Sequence, residues 1–142
     1  MGILSSMLTA CAGEQPKNLA PRDGFLAPCQ SSPNCVSSRA EDRRHRIDPL
    51  CFSGQPSDAL ARLRKVLTER PDTTVMADDG RYLRVEFRTR LGFVDDGEFL
   101  LDPDRRCIHL RSASRLGYSD LGKNRVRMEE IRRLFAETER TK

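Results

Sequence analysis

Residues 111–127 read RSASRLGYSDLGKNRVR and hold four arginines, one lysine and three serines. Arginine presents its N–H donors in a rigid planar fork that matches a phosphate or a carboxylate. Serine hydroxyls add further donors, and the start of a helix adds free backbone N–H groups. Arg111, Ser112, Ser114, Arg115, Ser119, Arg125 and Arg127 therefore form a candidate anion site, with Asp120 inside it and Asn124 at the head of the following helix. A strand-to-helix connection needs only about two to six residues, so a stretch this long has a second role. Two roles fit: binding an anionic small molecule or lipid headgroup, or locking the fold through ion pairs with the chain's own acids.

The acids that face this choice are Asp95, Asp96 and Glu98. Neighbouring residues on a strand point to opposite faces, which puts Asp96 and Glu98 together and Asp95 behind them. Beside Arg111 and His109, such carboxylates can act as general acid and base in a hydrolase-like reaction or hold a hard cation. They can equally neutralise Arg84, Arg88 and Arg111, and structural ion-pair networks commonly imitate active sites. The non-enzymatic reading comes first and the hydrolase-like one second. His45 and His109 are the only histidines, too few for most transition-metal sites, and the chain has no Gly-x-Ser-x-Gly elbow. No metal, cofactor or catalytic residue is assigned.

The elements that must position these residues follow from periodicity. Ala59, Leu60, Leu63, Val66 and Leu67 recur at helical spacing, with Ser57 or Asp58 as the expected cap and Pro71 as the stop. Residues 73–77 are β-prone, and Asp79-Gly80 is a hairpin turn ahead of a second, cleanly alternating strand over 81–90, where Leu83, Val85, Phe87 and Thr89 oppose Arg84, Glu86, Arg88 and Arg90. A third strand is expected over 93–102 and a fourth over 106–113. The last helix is expected from Asn124, its cap, to about residue 138, with Val126, Met128, Ile131, Leu134 and Phe135 facing inward. The order predicts an α+β fold: a two-layer sandwich of a four-stranded antiparallel meander, two helices on one face and an irregular N-terminal strap over 25–54.

At 142 residues the chain supports one core. We assign 1–24 to a signal-like segment and linker and 25–142 to a single domain. The formal net charge of +4 arises from 25 basic and 21 acidic residues. They interleave, as in RVEFRTR and MEEIRRLFAETER, which indicates solvated faces with spaced ion pairs rather than a nucleic-acid surface. No apolar run is long enough to span a bilayer, and nothing in the sequence sets an oligomeric state.

Leu8-Thr9-Ala10-Cys11 resembles the lipobox at which bacterial lipoprotein signals are cut and the cysteine acylated. The preceding apolar segment, Ile3 to Leu8, is short and lacks a basic start. Export would place the protein in the cell envelope, on the periplasmic side and membrane-anchored through Cys11; the alternative is a cytoplasmic protein with an irregular tail. Met1, Gly2 and Ser6 also fit the loose N-myristoylation pattern. The remaining cysteines, Cys29, Cys35, Cys51 and Cys107, allow two disulfides in three connectivities. Cys29 with Cys35 is the first choice.

Three blocks, LAPCQSSPNCVSS, GFVDDGEF and RSASRLGYSDLGKNRVR, resemble the signature stretches of the domain of unknown function 1499 family, over about residues 25–135. Its members occur in bacteria and plastids, often exported or membrane-associated, and the resemblance implies no established activity. The matching positions are Pro33, Asn34, Cys35, Ser37 and Ser38 in the first block and Asp95, Asp96 and Glu98 in the second. In the third they are Arg111, Ser112, Ser114, Arg115, Gly117, Ser119, Asp120, Gly122, Asn124, Arg125 and Arg127. Cys51 and Cys107 are less typical of the family, and their state stays open between a disulfide and buried thiols.

Overall fold

The computed structural model describes residues 12–141. Cys11 and the apolar segment before it lie outside the described residues. The elements are β1 (Cys35–Ser37), β2 (Leu50–Cys51), α1 (Pro56–Thr68), β3 (Thr73–Asp78), β4 (Tyr82–Arg88), β5 (Val94–Asp102), β6 (Cys107–Ser114) and α2 (Lys123–Arg140). The fold is α+β, with six strands and two helices.

Strands β3 to β6 run as the expected meander, but the sheet does not stop there. Its order is β1-β6-β5-β4-β3, and β2 also pairs β6. The strap thus supplies two strands on the outer edge of β6, with Cys35 opposite Ala113 and Leu50 opposite Ile108. Strands of two and three residues are too short to show a period, so pattern alone could not reveal them. The opposite edge, β3, is largely exposed and carries a register shift between Val75 and Ala77, an irregularity that discourages edge-to-edge pairing.

Both helices cover one sheet face. Leu60 and Leu63 of α1 and Met128, Ile131 and Phe135 of α2 join Val85, Phe87, Phe99 and Leu110 in one buried cluster. Helix α1 starts with Pro56 at its first position, where the missing N–H costs nothing. The cap position is Gln55, without a side-chain bond, and Asp58 lies in the first turn, where a carboxylate complements the dipole. Neither Ser57 nor Asp58 is the cap.

Helix α2 also begins differently from expectation. Gly122 holds the left-handed cap position, at φ 79°, and Asn124 already lies inside the helix. Asp120 does the capping instead: its carboxylate accepts the Gly122 and Asn124 N–H groups at 2.8 and 3.0 Å. The inner side of α2 is Asn124, Arg127, Met128, Ile131 and Phe135, so Val126, expected inward, is exposed and Arg127 turns in.

Two disulfides staple the strap. Cys29 joins Cys35, with Cα atoms 5.7 Å apart, and Cys51 joins Cys107 at 4.0 Å, across directly opposed positions of β2 and β6. They close sequence separations of 6 and 56 residues. Loop-closure entropy then assigns them about 2 and about 4 kcal/mol respectively. In urea unfolding of oxidised protein, the double variant Cys51→Ala/Cys107→Ala should lose more stability than Cys29→Ala/Cys35→Ala. The reverse order would show that strain or residual unfolded structure, not loop length, sets their worth.

Candidate functional site

The sheet face away from the helices is charged. Alternation along β4, β5 and β6 turns Arg84, Glu86, Asp96, Glu98, His109 and Arg111 to this side. The register lines up Arg84 opposite Glu98 and Glu98 opposite Arg111, while Glu86 stands opposite Asp96. Opposite charges meet at Arg84, Glu98 and Arg111, which stabilises pairing, whereas the like-charged Glu86 and Asp96 need a cation between them.

The contacts are close. Arg115, reaching in from the loop after β6, donates to both Asp96 oxygens at 2.8 and 2.9 Å and to Glu86 at 2.6 Å. Its pKa rises well above the ordinary arginine value, chiefly through Asp96, against the opposing effect of burial. Arg84 adds longer contacts to Asp96 and Glu86 at 3.7 and 3.8 Å. Glu98 is wholly buried; it accepts the Tyr82 hydroxyl at 2.6 Å, the Ala20 N–H at 2.8 Å and Arg111 Nη1 at 3.4 Å. Burial first, and then the Glu98 carboxylate, raises the Tyr82 pKa. The strap roofs this layer, where Leu26 packs with Tyr82 and Leu100.

On the helix side a second group forms. Arg127 pairs with Asp95 at 2.9 Å, its guanidinium 4.5 Å from the Phe87 ring centroid. Asn124, fully buried, is the hub: its oxygen accepts the Ser112 hydroxyl at 2.6 Å. Its amide donates to Ser114, Asp120 and the Asn34 carbonyl. Burial opposes ionisation of Asp120, yet the Asn124 amide and backbone N–H groups outweigh it and lower its pKa.

The candidate residues of the 111–127 stretch therefore do not converge on one anion site. Arg111 and Arg115 face the charged layer with Asp96 and Glu98. Ser112, Ser114, Asp120, Asn124 and Arg127 face α2 with Asp95. Arg125 donates to the carbonyls of Arg44 and Arg46, and the Ser119 hydroxyl accepts the Leu121 N–H. Arg88, expected to answer the acids, donates to the Gly92 carbonyl. Arg84 does meet the acids as expected, whereas Tyr82 and Glu86 belong to the layer but were not singled out, because alternating charges on a strand read as a solvated face when the covering strap is unknown.

His109 shares the charged face but is tied elsewhere, to Asp102 and Ser38, both at 3.3 Å. Burial, with help from Arg39, lowers its pKa against the pull of Asp102. Among the described residues no three His, Cys, Asp or Glu side chains are placed to hold a metal.

A cavity of about 330 Å³ opens at the edge of the layer, between linker residues 14–18 and the sheet. Lys17, Gln30, Ser32, Asn34, Asp96, Arg111, Ser114 and Arg115 line it. Arg111 is 4% exposed, and its Nε has no hydrogen-bond partner. A larger groove, about 680 Å³, runs between the C-terminal parts of α1 and α2 past Val66, Pro71 and Leu134. It holds none of the candidate residues.

Residues 25–135 match the family model described as a protein of unknown function, DUF1499. The chain belongs to the DUF1499 family. No curated protein and no solved structure matches it significantly. The three blocks noted in the sequence meet in this DUF1499 fold through the adjacent strands β1, β6 and β5, where Ala113 faces Cys35 on one side and Asp96 on the other. All the side chains of the charged layer fall within the matched stretch; the Ala20 N–H comes from outside it.

Removing one partner of a buried pair costs about 3 to 5 kcal/mol, because the other charge is left without compensation. Arg115→Met should lose that much stability in urea unfolding, and a loss below about 1 kcal/mol would mean that Asp96 has other support. His109 gives a pH signature. Its folded pKa lies below its unfolded value of about 6.5, so the unfolded state takes up protons first as pH falls. Its contribution is complete above that pH and declines below it. The melting temperature should fall from pH 7 toward pH 5 more steeply in the parent than in His109→Asn, and equal slopes would assign the effect to other groups.

Proposed function

We propose that the protein is a non-enzymatic envelope domain, tethered to the membrane through Cys11, that receives a phosphate or carboxylate group in the cavity beside Arg111. The observation that carries this is Arg111 itself. A charged side chain with so little exposure normally has every donor engaged. Here the one carboxylate contact is long, at 3.4 Å, and Nε is unpartnered. Arg111 lines the cavity together with Lys17, Asn34 and Ser114, so an anion entering it would meet a guanidinium held by one long ion pair. The two disulfides and the lipobox-like Leu8-Thr9-Ala10-Cys11 support an oxidising, exported location.

Catalysis by Asp96 and Glu98 fits less well. Both Asp96 oxygens accept from Arg115, Glu98 is held by Tyr82, Ala20 and Arg111, and His109 is engaged with Asp102 and Ser38. A general acid or base needs a face turned to its substrate. The interleaved charges and the small cavity likewise favour a small anion over nucleic acid.

The test is an NMR titration of the Cys11→Ser chain with inorganic phosphate, glycerol phosphate and acetate. The Arg111 Nε–H and the Asn34 and Ser114 amides should shift together. Arg111→Lys keeps the charge opposite Glu98 while removing Nε, and should abolish those shifts without unfolding the protein. Parent protein that shows no shift at millimolar anion, or an Arg111→Lys variant that shifts like the parent, would leave Arg111 a purely structural residue.

A further inference from the structure

We propose that the end of the domain formed by the β4–β5 turn and the loop 115–122 is a docking tip that inserts apolar side chains into an anionic lipid surface. Leu91, Phe93, Leu116, Tyr118 and Leu121 are all exposed there, Leu121 at 88% and Leu91 at 76%. Isolated apolar residues on a surface are ordinary, but a contiguous group marks an interaction site. Three of them share a surface: Phe93, Leu116 and Leu121 line one shallow cavity of about 230 Å³, and Leu91 and Tyr118 belong to the same two loops. The Arg115 N–H, bonded to the Val94 carbonyl, holds the two loops side by side.

The backbone beneath the tip is fixed. Thr89 and Phe93 close the first loop with a 2.9 Å bond, and Gly92 bonds back to Thr89 at 3.0 Å. The second loop is pinned at one end by Arg115 on Asp96 and at the other by Asp120 on Asn124. Leu116, Tyr118 and Leu121 are therefore held outward on a hydrogen-bonded base, although each would leave water by folding inward.

Two observations identify the occupant as a membrane. The first is the chain path. Gly13 packs on Leu116, where an added Cβ would lie 3.0 Å from Leu116 Cγ. Only Ala12 lies between Gly13 and Cys11, two residue steps or about 7 Å of extended chain. The described chain thus begins beside the tip, directly after the lipobox-like Cys11. The second is charge. Arg88, Arg90 and Lys123 are exposed around the apolar group, whereas Asp95 and Asp120 turn inward to Arg127 and Asn124. Glu14 is the exposed acid on the neighbouring strap. Apolar side chains within a basic rim bind anionic bilayers by insertion and charge attraction together.

The tip adjoins the anion cavity, Ser114 lining both, but its test does not depend on Arg111 or on acylation. Full-length Cys11→Ser protein, which cannot be acylated there, is sedimented with vesicles of phosphatidylglycerol and phosphatidylethanolamine and with phosphatidylcholine vesicles. Binding should favour the anionic vesicles and weaken with salt. Leu91→Ser and Leu121→Ser should each weaken partitioning about tenfold, the effect of withdrawing one large aliphatic side chain from an apolar phase. Arg90→Glu should also weaken it, while Met76→Ser, exposed on the far edge strand β3, should not. Tyr118→Trp should show a blue-shifted emission on binding. Because the substituted residues are exposed, near-ultraviolet circular dichroism should stay unchanged. The proposal fails if the parent does not bind, or if the Leu91→Ser/Leu121→Ser double variant sediments like the parent. It also fails if the apolar group instead mediates a concentration-dependent dimer that the same variants dissolve.

Discussion

Asp96, 1% exposed in the central strand, and the Arg115 fork that holds it set the terms for the rest of the molecule. A sheet buried on both faces usually carries apolar residues on both. Here the helix face is apolar and the other face places Arg84, Arg111 and Arg115 against Glu86, Asp96 and Glu98. Withdrawing such charges from water is tolerable only when signs match and donors meet acceptors. The match depends on register, since a one-residue slip of β5 would carry Asp96 and Glu98 into the helix-side core. The charged layer therefore adds little net stability compared with an apolar one, but it rejects alternative pairings of β4, β5 and β6.

Because Arg115 belongs to a loop, the same ion pair reaches beyond the sheet. It anchors the first residue of the 115–122 connection, as Asp120 and Asn124 anchor its far end. The arginines and serines of this stretch thus divide between two jobs, closing the charged layer and seating α2. Arg111 alone is left with an unmet donor at a cavity wall. A stretch that looks like a single anion cradle in one dimension becomes two structural clamps with a small opening between them.

Much of the fold was legible because it rests on local periodicity: the stripe of α1, the alternation of β4 and the Asp79-Gly80 turn. What was hidden depends on contacts distant in sequence. The two strands of the strap exist only through β6, and Asn124 loses the cap to Asp120 because its side chain is drawn inward by Ser112 and Ser114. Gly97 shows the same limit. Nothing in its neighbourhood explains a glycine in mid-strand until the Phe87 ring is seen lying across it, so close that a Cβ would collide with the ring and sit 2.9 Å from Val85. For the site, the residue types were readable and the partners were not: the acids answer Arg115, which is near them only because β6 returns beside β5.

The strap extends this dependence to the N-terminal part of the chain. Residues 12–24 lie before the stretch that defines the family, yet Ala20 donates to Glu98 and Gly13 lies on Leu116. Residues 12–24 therefore touch both the buried carboxylate and the apolar tip. The surroundings of Glu98 and of Leu116 are both consequences of one segment lying where it does.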